Sequence, residues 1–245
     1  ALLAEGLGDR RQDVVLSTKV HLGPDPIPFT NMKLAHRTSS WIARRFGSVC
    51  SGPVLRRRVE QTLRALRTDR IDVLHLHAVS PRQYPLAVSK VLPELLNLKD
   101  EGKLRAIGVT EGFVCDPNHD MLRAASAEAH FDVIMVGFNI SNSSAAQFVL
   151  PTAKKVGMGV VGMFALRQLI DTTDAHELSR VAEEAGISLS ELAYRYCRHQ
   201  AEIDVVLTGT GDPAHLGQNI AAALAPPLPD FVLAELHQTA ASTRK

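Results

Sequence analysis

Two strand-like runs carry residues suited to chemistry. Val14-Val15-Leu16-Ser17-Thr18-Lys19 and Ile71-Asp72-Val73-Leu74-His75-Leu76-His77 each end in a basic side chain followed by a loop. In folds built from alternating strands and helices, reacting groups gather at the carboxyl ends of the strands, which makes Lys19 and His77 the first candidates. A Lys on the face shared with Val15 and Ser17, partly desolvated in a barrel mouth, would lower the pKa of an acid beside it. His75 and His77 lie two apart and so face the same side of a strand, and His-x-His is also how many metal-dependent hydrolases begin their site. The other strand ends offer Thr110, Asn139, Met163 and Thr208, with Glu111 as the one carboxylate. That is too few ligands, so no metal is expected, and a metal hydrolase using His75 and His77 is the weakest alternative.

A second motif closes the last strand, Leu207-Thr208-Gly209-Thr210-Gly211-Asp212-Pro213-Ala214-His215-Leu216. Asp212 suits an N-cap and Pro213 suits the first turn, so a helix is expected to begin directly after a glycine turn. Free amides and the helix dipole make such a turn an anion site, and the last loops of a barrel often hold phosphate this way. The string also matches G-x-G-x-x-A. A dinucleotide fingerprint of that kind belongs to the first strand-to-helix turn of its domain, and too little chain follows here to build one.

The elements that position these groups alternate along the chain. After a partial helix at 1–9, strands are predicted near 14–19, 71–77, 104–110, 131–138, 158–163 and 203–208. Helices are predicted near 53–67, 85–101, 118–128, 144–155, 174–185, 189–199, 213–223 and 228–241. This is the pattern of a parallel α/β sheet with crossover helices, without repeats or linkers, and it predicts one domain over residues 1–245. About six strands fall short of the eight of a (β/α)8 barrel. The chain opens partway into a helix without Met, so the expected fold is a TIM barrel lacking its first strand–helix–strand portion, with an open doubly wound sheet as the alternative. The connection from His21 to Gly52, with Pro24, Pro26, Pro28, Trp41 and Phe46, leaves a strand's carboxyl end and could shape a substrate pocket or simply pack on the surface.

A net charge of +1 gives no reason to expect nucleic acid or an anionic membrane as partner. Arg56-Arg57-Arg58 falls on a helical pattern with an apolar opposite face, which reads as a solvated face. Three Cys far apart indicate neither a disulfide framework nor a zinc site and suit a reducing, cytoplasmic setting. No signal peptide or membrane span is read.

In order, DVVLSTKV, a long loop, LRRRVEQTLRALRTDRIDVLHLH, LLNLKDEGKLRAIGVTE, FDVIMVGFNIS, GMGVVGMFALRQL and VVLTGTGDPAHLGQNI resemble the aldo-keto reductases over nearly the whole chain. The resemblance implies a (β/α)8 barrel that binds NAD(P)H across its strand ends and reduces aldehydes and ketones or oxidises alcohols and sugars. It also implies an Asp, Tyr, Lys, His tetrad, in which Lys19 is the Lys that lowers the Tyr pKa and His77 the His that orients or polarises the carbonyl. The family's Asp and Tyr lie upstream of its Lys. Tyr84, Tyr194 and Tyr196 are all downstream, so none is carried over as the acid, and the chain is expected to be a fragment without them. For the cofactor, Thr110 takes the place of the Ser that holds the nicotinamide amide, and Glu111 stands where Asn is usual. Met135 replaces a Gln, and Met163 falls where many members have a stacking aromatic. Leu166 matches a residue near the pyrophosphate, Gly209, Thr210 and Gly211 match the phosphate turn, and Gln218 and Asn219 match residues that meet adenine. His215 occupies the position where NADPH-preferring members carry Arg, so NADP is expected, with NAD open. A nucleotide-binding barrel without turnover, serving as redox sensor or partner-binding subunit, is the alternative function. The oligomeric state is not legible.

Overall fold

A computed structural model describes residues 2–23, 48–167 and 175–242 of the 245-residue chain. The predicted loop residues Pro24, Pro26, Pro28, Trp41 and Phe46 lie outside them. The described residues form α1 (Leu2–Leu7), a 3-10 turn (Gly8–Asp13), β1 (Ser17–His21), α2 (Gly52–Leu66), β2 (Ile71–Val79), α3 (Tyr84–Lys90), α4 (Leu92–Asp100), β3 (Leu104–Glu111) and α5 (Asp120–Glu128). They continue with β4 (Val133–Gly137), a 3-10 turn (Ser144–Gln147), α6 (Val149–Lys155), β5 (Gly159–Met163), α7 (Ala175–Glu184), α8 (Leu189–Arg198), β6 (Val205–Val206), α9 (Pro213–Leu224) and α10 (Asp230–Ser242). The strands follow in chain order in the sheet, and β1 with β2, β2 with β3 and β5 with β6 pair in parallel, which is the expected α/β class.

Each of the six predicted strands has a counterpart, but the ends move. β1 starts at Ser17 and runs on to His21, because Val14 and Val15 are exposed. β6 shrinks to Val205–Val206. Two predicted helices are divided. Pro93 lacks an N–H and crowds the carbonyl four residues before it, so the helix expected over 85–101 breaks at Val91. Pro151 does the same to 144–155, where a 3-10 turn precedes α6.

Two compact units divide the chain, residues 1–134 with 156–158, and 135–155 with 159–245. In the first, the apolar stripe Leu55, Val59 and Leu63 of α2 is buried, as are Leu74 and Leu76 of β2, Ile107 and Val109 of β3, and Leu95 and Leu98 of α4. The opposite side of α2 does not read as a free basic face: Arg56 bridges Glu94 and Glu101, and Arg58 donates to the His21 carbonyl at 2.5 Å. In the second, Leu178, Val181 and Ala182 of α7, Leu192 and Ala193 of α8 and Val232 and Leu236 of α10 form a buried cluster. No helix of the described residues is long and apolar enough to cross a membrane.

At the start of β2, the buried Asp72 carboxylate accepts the Leu16 N–H at 2.8 Å and meets Arg11 at 3.0 Å and Arg105 at 3.2 Å. Burial pushes this carboxyl up, but the Leu16 N–H and the Arg105 and Arg11 guanidiniums outweigh it and hold it below the ordinary range. A depressed folded pKa contributes stability above the unfolded value, near 4, and loses it as pH falls through the folded value. Asp72→Ala leaves Arg11, the best-buried partner, uncompensated. It should cost about 3–5 kcal/mol in urea unfolding at neutral pH, with the difference from wild type narrowing below about pH 4. A cost under about 1 kcal/mol, the range of a surface pair, would contradict this.

Candidate active site

In the first unit, the parallel ladder sets Lys19 opposite His75 and His21 opposite His77 on β1 and β2. On the other side of β2, His75 lies opposite Gly108 of β3. Paired residues of a parallel ladder share a face and alternate residues return to it, so Lys19, His21, His75, His77, Gly108 and Thr110 occupy one sheet face. The strands of Lys19 and His77 are neighbours. Two details differ from the sequence reading. β1 ends at His21, so Lys19 sits two residues short of its end and its side chain is exposed, not partly desolvated. Lys19 also lies directly across from His75, which makes His77 its diagonal neighbour.

His75 is 1% exposed, and its ring lies flat against the backbone at Gly108: a Cβ there would meet Nδ1 at 2.2 Å. Burial, with the positive charge of Lys19 added, pushes this imidazole down to about 4. It is therefore neutral at physiological pH and cannot serve as the proton donor. Its Nδ1 has no hydrogen-bond partner among the described residues.

His77 is half-buried, and its ring meets that of His21 edge to face with centroids 4.5 Å apart and Nδ1 to Nδ1 at 3.2 Å. One step further along the sheet, β2 and β3 lose register between Leu76 and Val79, where Ala78 adopts φ 53°. The irregularity turns the Ala78 N–H onto Thr110 Oγ1 at 2.8 Å. The buried Thr110 hydroxyl is thus fixed as an acceptor, and its own proton is left to donate.

Glu111 does not join this group. Alternation turns it to the opposite face, where its fully buried carboxylate lies 2.8 Å from Nδ1 of the equally buried His119. His119 has φ 58° and its ring lies 5.9 Å from that of Phe113. The Glu111 carboxylate there ties β3 to the residue that precedes α5.

The second unit holds the other predicted residues. Met135 on β4 and Met163 on β5 are buried. Leu166 is half-buried and packs against the helix cluster of α7, α8 and α10. Phe164 follows Met163 in a left-handed conformation, φ 70°, with the Arg167 guanidinium 4.6 Å from its ring centre. Asn139 Nδ2 donates to the carbonyls of Phe164 and Arg167, both at 3.1 Å.

The glycine turn is built as read. Asp212 caps α9 by accepting the Ala214 N–H at 2.7 Å, and Pro213 occupies the first turn. Gly209, Thr210, Gly211, His215 and Gln218 are all exposed on this turn and the first two turns of the helix. Neither Gly209 nor Gly211 has a positive φ, and a Cβ at either would meet nothing within 4 Å. Nothing in the turn itself needs glycine, whereas a ligand approaching the backbone closely would. Asn219 behaves differently from Gln218: it is 9% exposed and donates to Thr208 Oγ1 at 2.7 Å, and the same oxygen accepts from the Tyr194 hydroxyl at 2.9 Å. These bonds anchor the residue that precedes Gly209 to two helices.

Sequence reasoning missed His21, the Ala78 irregularity and the Tyr194–Thr208–Asn219 anchor. Alternation from Lys19 would have placed His21 on the same face had β1 been extended by two residues. The anchor joins positions remote in sequence and left no local signal. Among the described residues, no group of three or more His, Cys, Asp or Glu side chains is placed to hold a metal ion.

The model of the Aldo/keto reductase family matches residues 1–241. Among curated relatives, L-galactose dehydrogenase of Arabidopsis thaliana is 28% identical over 184 residues, which cover 69% of this chain and 57% of that protein. D-threo-aldose 1-dehydrogenase of a Pseudomonas species is 27% identical over 187 residues, 67% of this chain and 55% of the relative. The chain thus spans little more than half the length of these relatives. Among solved structures, the holo form of an aldo-keto reductase from Bacillus halodurans superposes with a TM-score of 0.73 at 20% identity, covering 97% of this chain and 76% of that one. An aldo-keto reductase from Klebsiella pneumoniae in complex with NADPH gives 0.66 at 21% identity, covering 97% and 73%. These likenesses show a shared fold.

Proposed function

The chain belongs to the aldo/keto reductase family, and from that premise we propose that it is part of an NAD(P)H-dependent oxidoreductase acting on small carbonyl compounds, alcohols or sugars. The single observation that carries the cofactor half of the reading is the exposed Gly209–Gly211 turn, whose glycines meet no internal demand and whose amides precede a capped 12-residue helix. The turn would hold the pyrophosphate, His215 would face the ribose end, and Asn219 would keep the turn in place through Thr208. When bound, NAD(P)H supplies the hydride.

The chain's own residues prepare the carbonyl. His77 donates a hydrogen bond to the substrate oxygen, and the Lys19 ammonium, two residues along the same face from His21, stabilises negative charge developing there. The Thr110 hydroxyl, with its acceptor side occupied by Ala78, donates to an amide oxygen. The names of the relatives, dehydrogenases of L-galactose and of an aldose, favour a sugar-like polyol or its carbonyl form as substrate class. The family model running unbroken over residues 1–241 favours a single domain.

A second reading, a nucleotide-binding barrel without turnover, is favoured by one set of observations. Tyr84 donates to Glu128, and burial, with that carboxylate beside it, pushes its phenol well above the ordinary range; Tyr194 donates to Thr208; Tyr196 lies on α8. All three sit on helices, Tyr84 on α3 and Tyr194 and Tyr196 on α8. Steady NADPH consumption with reactive aldehydes decides for the first reading. Binding without consumption by a version of the chain extended upstream of Ala1 decides for the second.

Equilibrium titration of the 245-residue chain with NADPH and NADH tests the cofactor assignment. Asn219→Ala should weaken binding by about 1–3 kcal/mol, through the released Thr208 and the lost amide. An unchanged dissociation constant refutes that role. His215→Arg should raise the preference for NADPH over NADH, since a permanently charged, bidentate partner for the 2′-phosphate is gained. An unaltered ratio would place His215 away from the ribose.

A further inference from the structure

Arg167 is a guanidinium with a built seat and no carboxylate. β5 ends at Met163, and Phe164 then takes a left-handed φ of 70°, a conformation that a bulky residue holds only when its neighbours enforce it. The enforcing group is the fully buried Asn139. Its Nδ2 donates to the Phe164 and Arg167 carbonyls, both at 3.1 Å, and its Oδ1 accepts the Asn142 N–H at 2.8 Å. The Arg167 N–H closes the same turn on the Phe164 carbonyl at 3.0 Å. Leu166 packs into the helix cluster, while Arg167 is exposed with its Cζ 4.6 Å from the centre of the Phe164 ring.

Stacking on a ring occupies the flat face of a guanidinium and leaves its edge, which carries the N–H donors, open. Among the described residues that edge meets no acceptor: the guanidinium makes neither a hydrogen bond nor an ion pair. By contrast, Arg56 bridges Glu94 and Glu101, Arg180 meets Glu177 and Glu184, and Arg195 meets Glu191 and two backbone carbonyls. What Arg167 stands beside follows from the ladder. β5 and β6 are parallel neighbours with Gly162 opposite Val206, so Phe164 and Thr208, two residues on, leave the same end of the sheet. Arg167 and the Gly209–Gly211 turn therefore extend from adjacent strand ends within one compact unit. A planar fork of donors next to free amides is a combination that suits a phosphate.

We propose that Arg167 binds a phosphate of the dinucleotide through its guanidinium edge, with Phe164 as the positioning residue that holds the guanidinium by its face. This rests on the reading of the Gly209–Gly211 turn as a phosphate seat, and it adds what that turn lacks, since residues 208–214 include one carboxylate, Asp212, and no cation. A guanidinium already laid on a ring loses less freedom on binding than one in open solvent, which leaves more of the contact for affinity.

Equilibrium titration of the whole 245-residue chain with NADPH, NADH and adenosine tests this, with thermal unfolding to show that each variant is folded. Arg167→Ala keeps the backbone bonds of its turn. It should weaken NADPH binding about tenfold or more, the worth of a charged hydrogen-bonded contact, while adenosine, which has no phosphate, stays within about twofold. An equal loss for NADH assigns the contact to the diphosphate, and a loss confined to NADPH assigns it to the 2′-phosphate; either supports the proposal. Arg167→Lys retains the charge without the fork and should recover only part of the loss. Phe164→Asn suits the left-handed turn and removes the ring, so it should weaken NADPH binding severalfold by itself and add nothing once Arg167 is Ala. NADPH binding unmoved by Arg167→Ala, or a loss that adenosine shares equally, would overturn the proposal. The phosphate seat fails separately: a Gly211→Val variant that loses affinity while Arg167→Ala does not leaves the seat standing and removes Arg167 from it, whereas an unaltered chain that binds neither dinucleotide refutes both.

Discussion

Replacing Gly108 with alanine should destabilise the chain by roughly 1–3 kcal/mol, with valine costing more. The reason is local. The added Cβ would lie 2.2 Å from Nδ1 and 2.6 Å from Cε1 of His75, distances at which something must move. The ring is 1% exposed in a close-packed interior, so it can yield only at a cost. Removing the ring should remove the penalty: in a His75→Ala background, Gly108→Ala should cost at least 1 kcal/mol less, a coupling of the size found for residues in contact. Additive costs in urea unfolding of the four proteins would show that the ring does not rest on Gly108.

The same histidine should give the chain a pronounced loss of stability in mild acid. Its pKa falls from the ordinary 6.5 to about 4 in the folded state, through burial first and the Lys19 charge second. With the folded value depressed, the unfolded chain binds the proton first. Stability is full above about 6.5, declines as pH falls, and levels out near the folded value. Integrated over that window, one proton corresponds to about 3 kcal/mol. His75→Leu removes both the titration and the unpartnered Nδ1, so it should flatten the profile between pH 6.5 and 4, the window set by the two values. The decline that remains belongs to carboxylates such as Asp72 and lies lower. An unchanged profile in His75→Leu would mean that the ring is hydrated or paired in solution.

How much of this was legible follows from the range of the signals. The strands and helices were readable because alternation and helical periodicity are local, and the glycine turn was readable because an N-cap, a proline and two glycines lie side by side in sequence. Proline breaks at Val91 and Phe148 were equally local but were outweighed by the apolar period around them. Partnerships were not readable. Whether Glu111 meets a cofactor or His119 depends on the loop that returns His119 to it eight residues later. The identity of the residue across from Lys19 depends on ladder register, which places His75 there, with His21 against His77. Asn219 matches a ligand-contacting position by resemblance, yet its donor is used on Thr208, a bond that only the assembled helix and strand end reveal.

We propose the turn at 209–211 as the seat of the phosphates of a nicotinamide dinucleotide. That assignment is tested most directly by Gly211→Val, measured for thermal stability without ligand and for NADPH binding by fluorescence titration against the unaltered chain. Since no atom lies within 4 Å of a Cβ at Gly211 and its φ is not positive, the substitution should leave the ligand-free midpoint within a few degrees. The branched side chain would occupy the space of the phosphate, and the account predicts that NADPH binding falls at least tenfold, about 1.4 kcal/mol or more. Binding by the unaltered chain that persists undiminished in a stable Gly211→Val variant would contradict it.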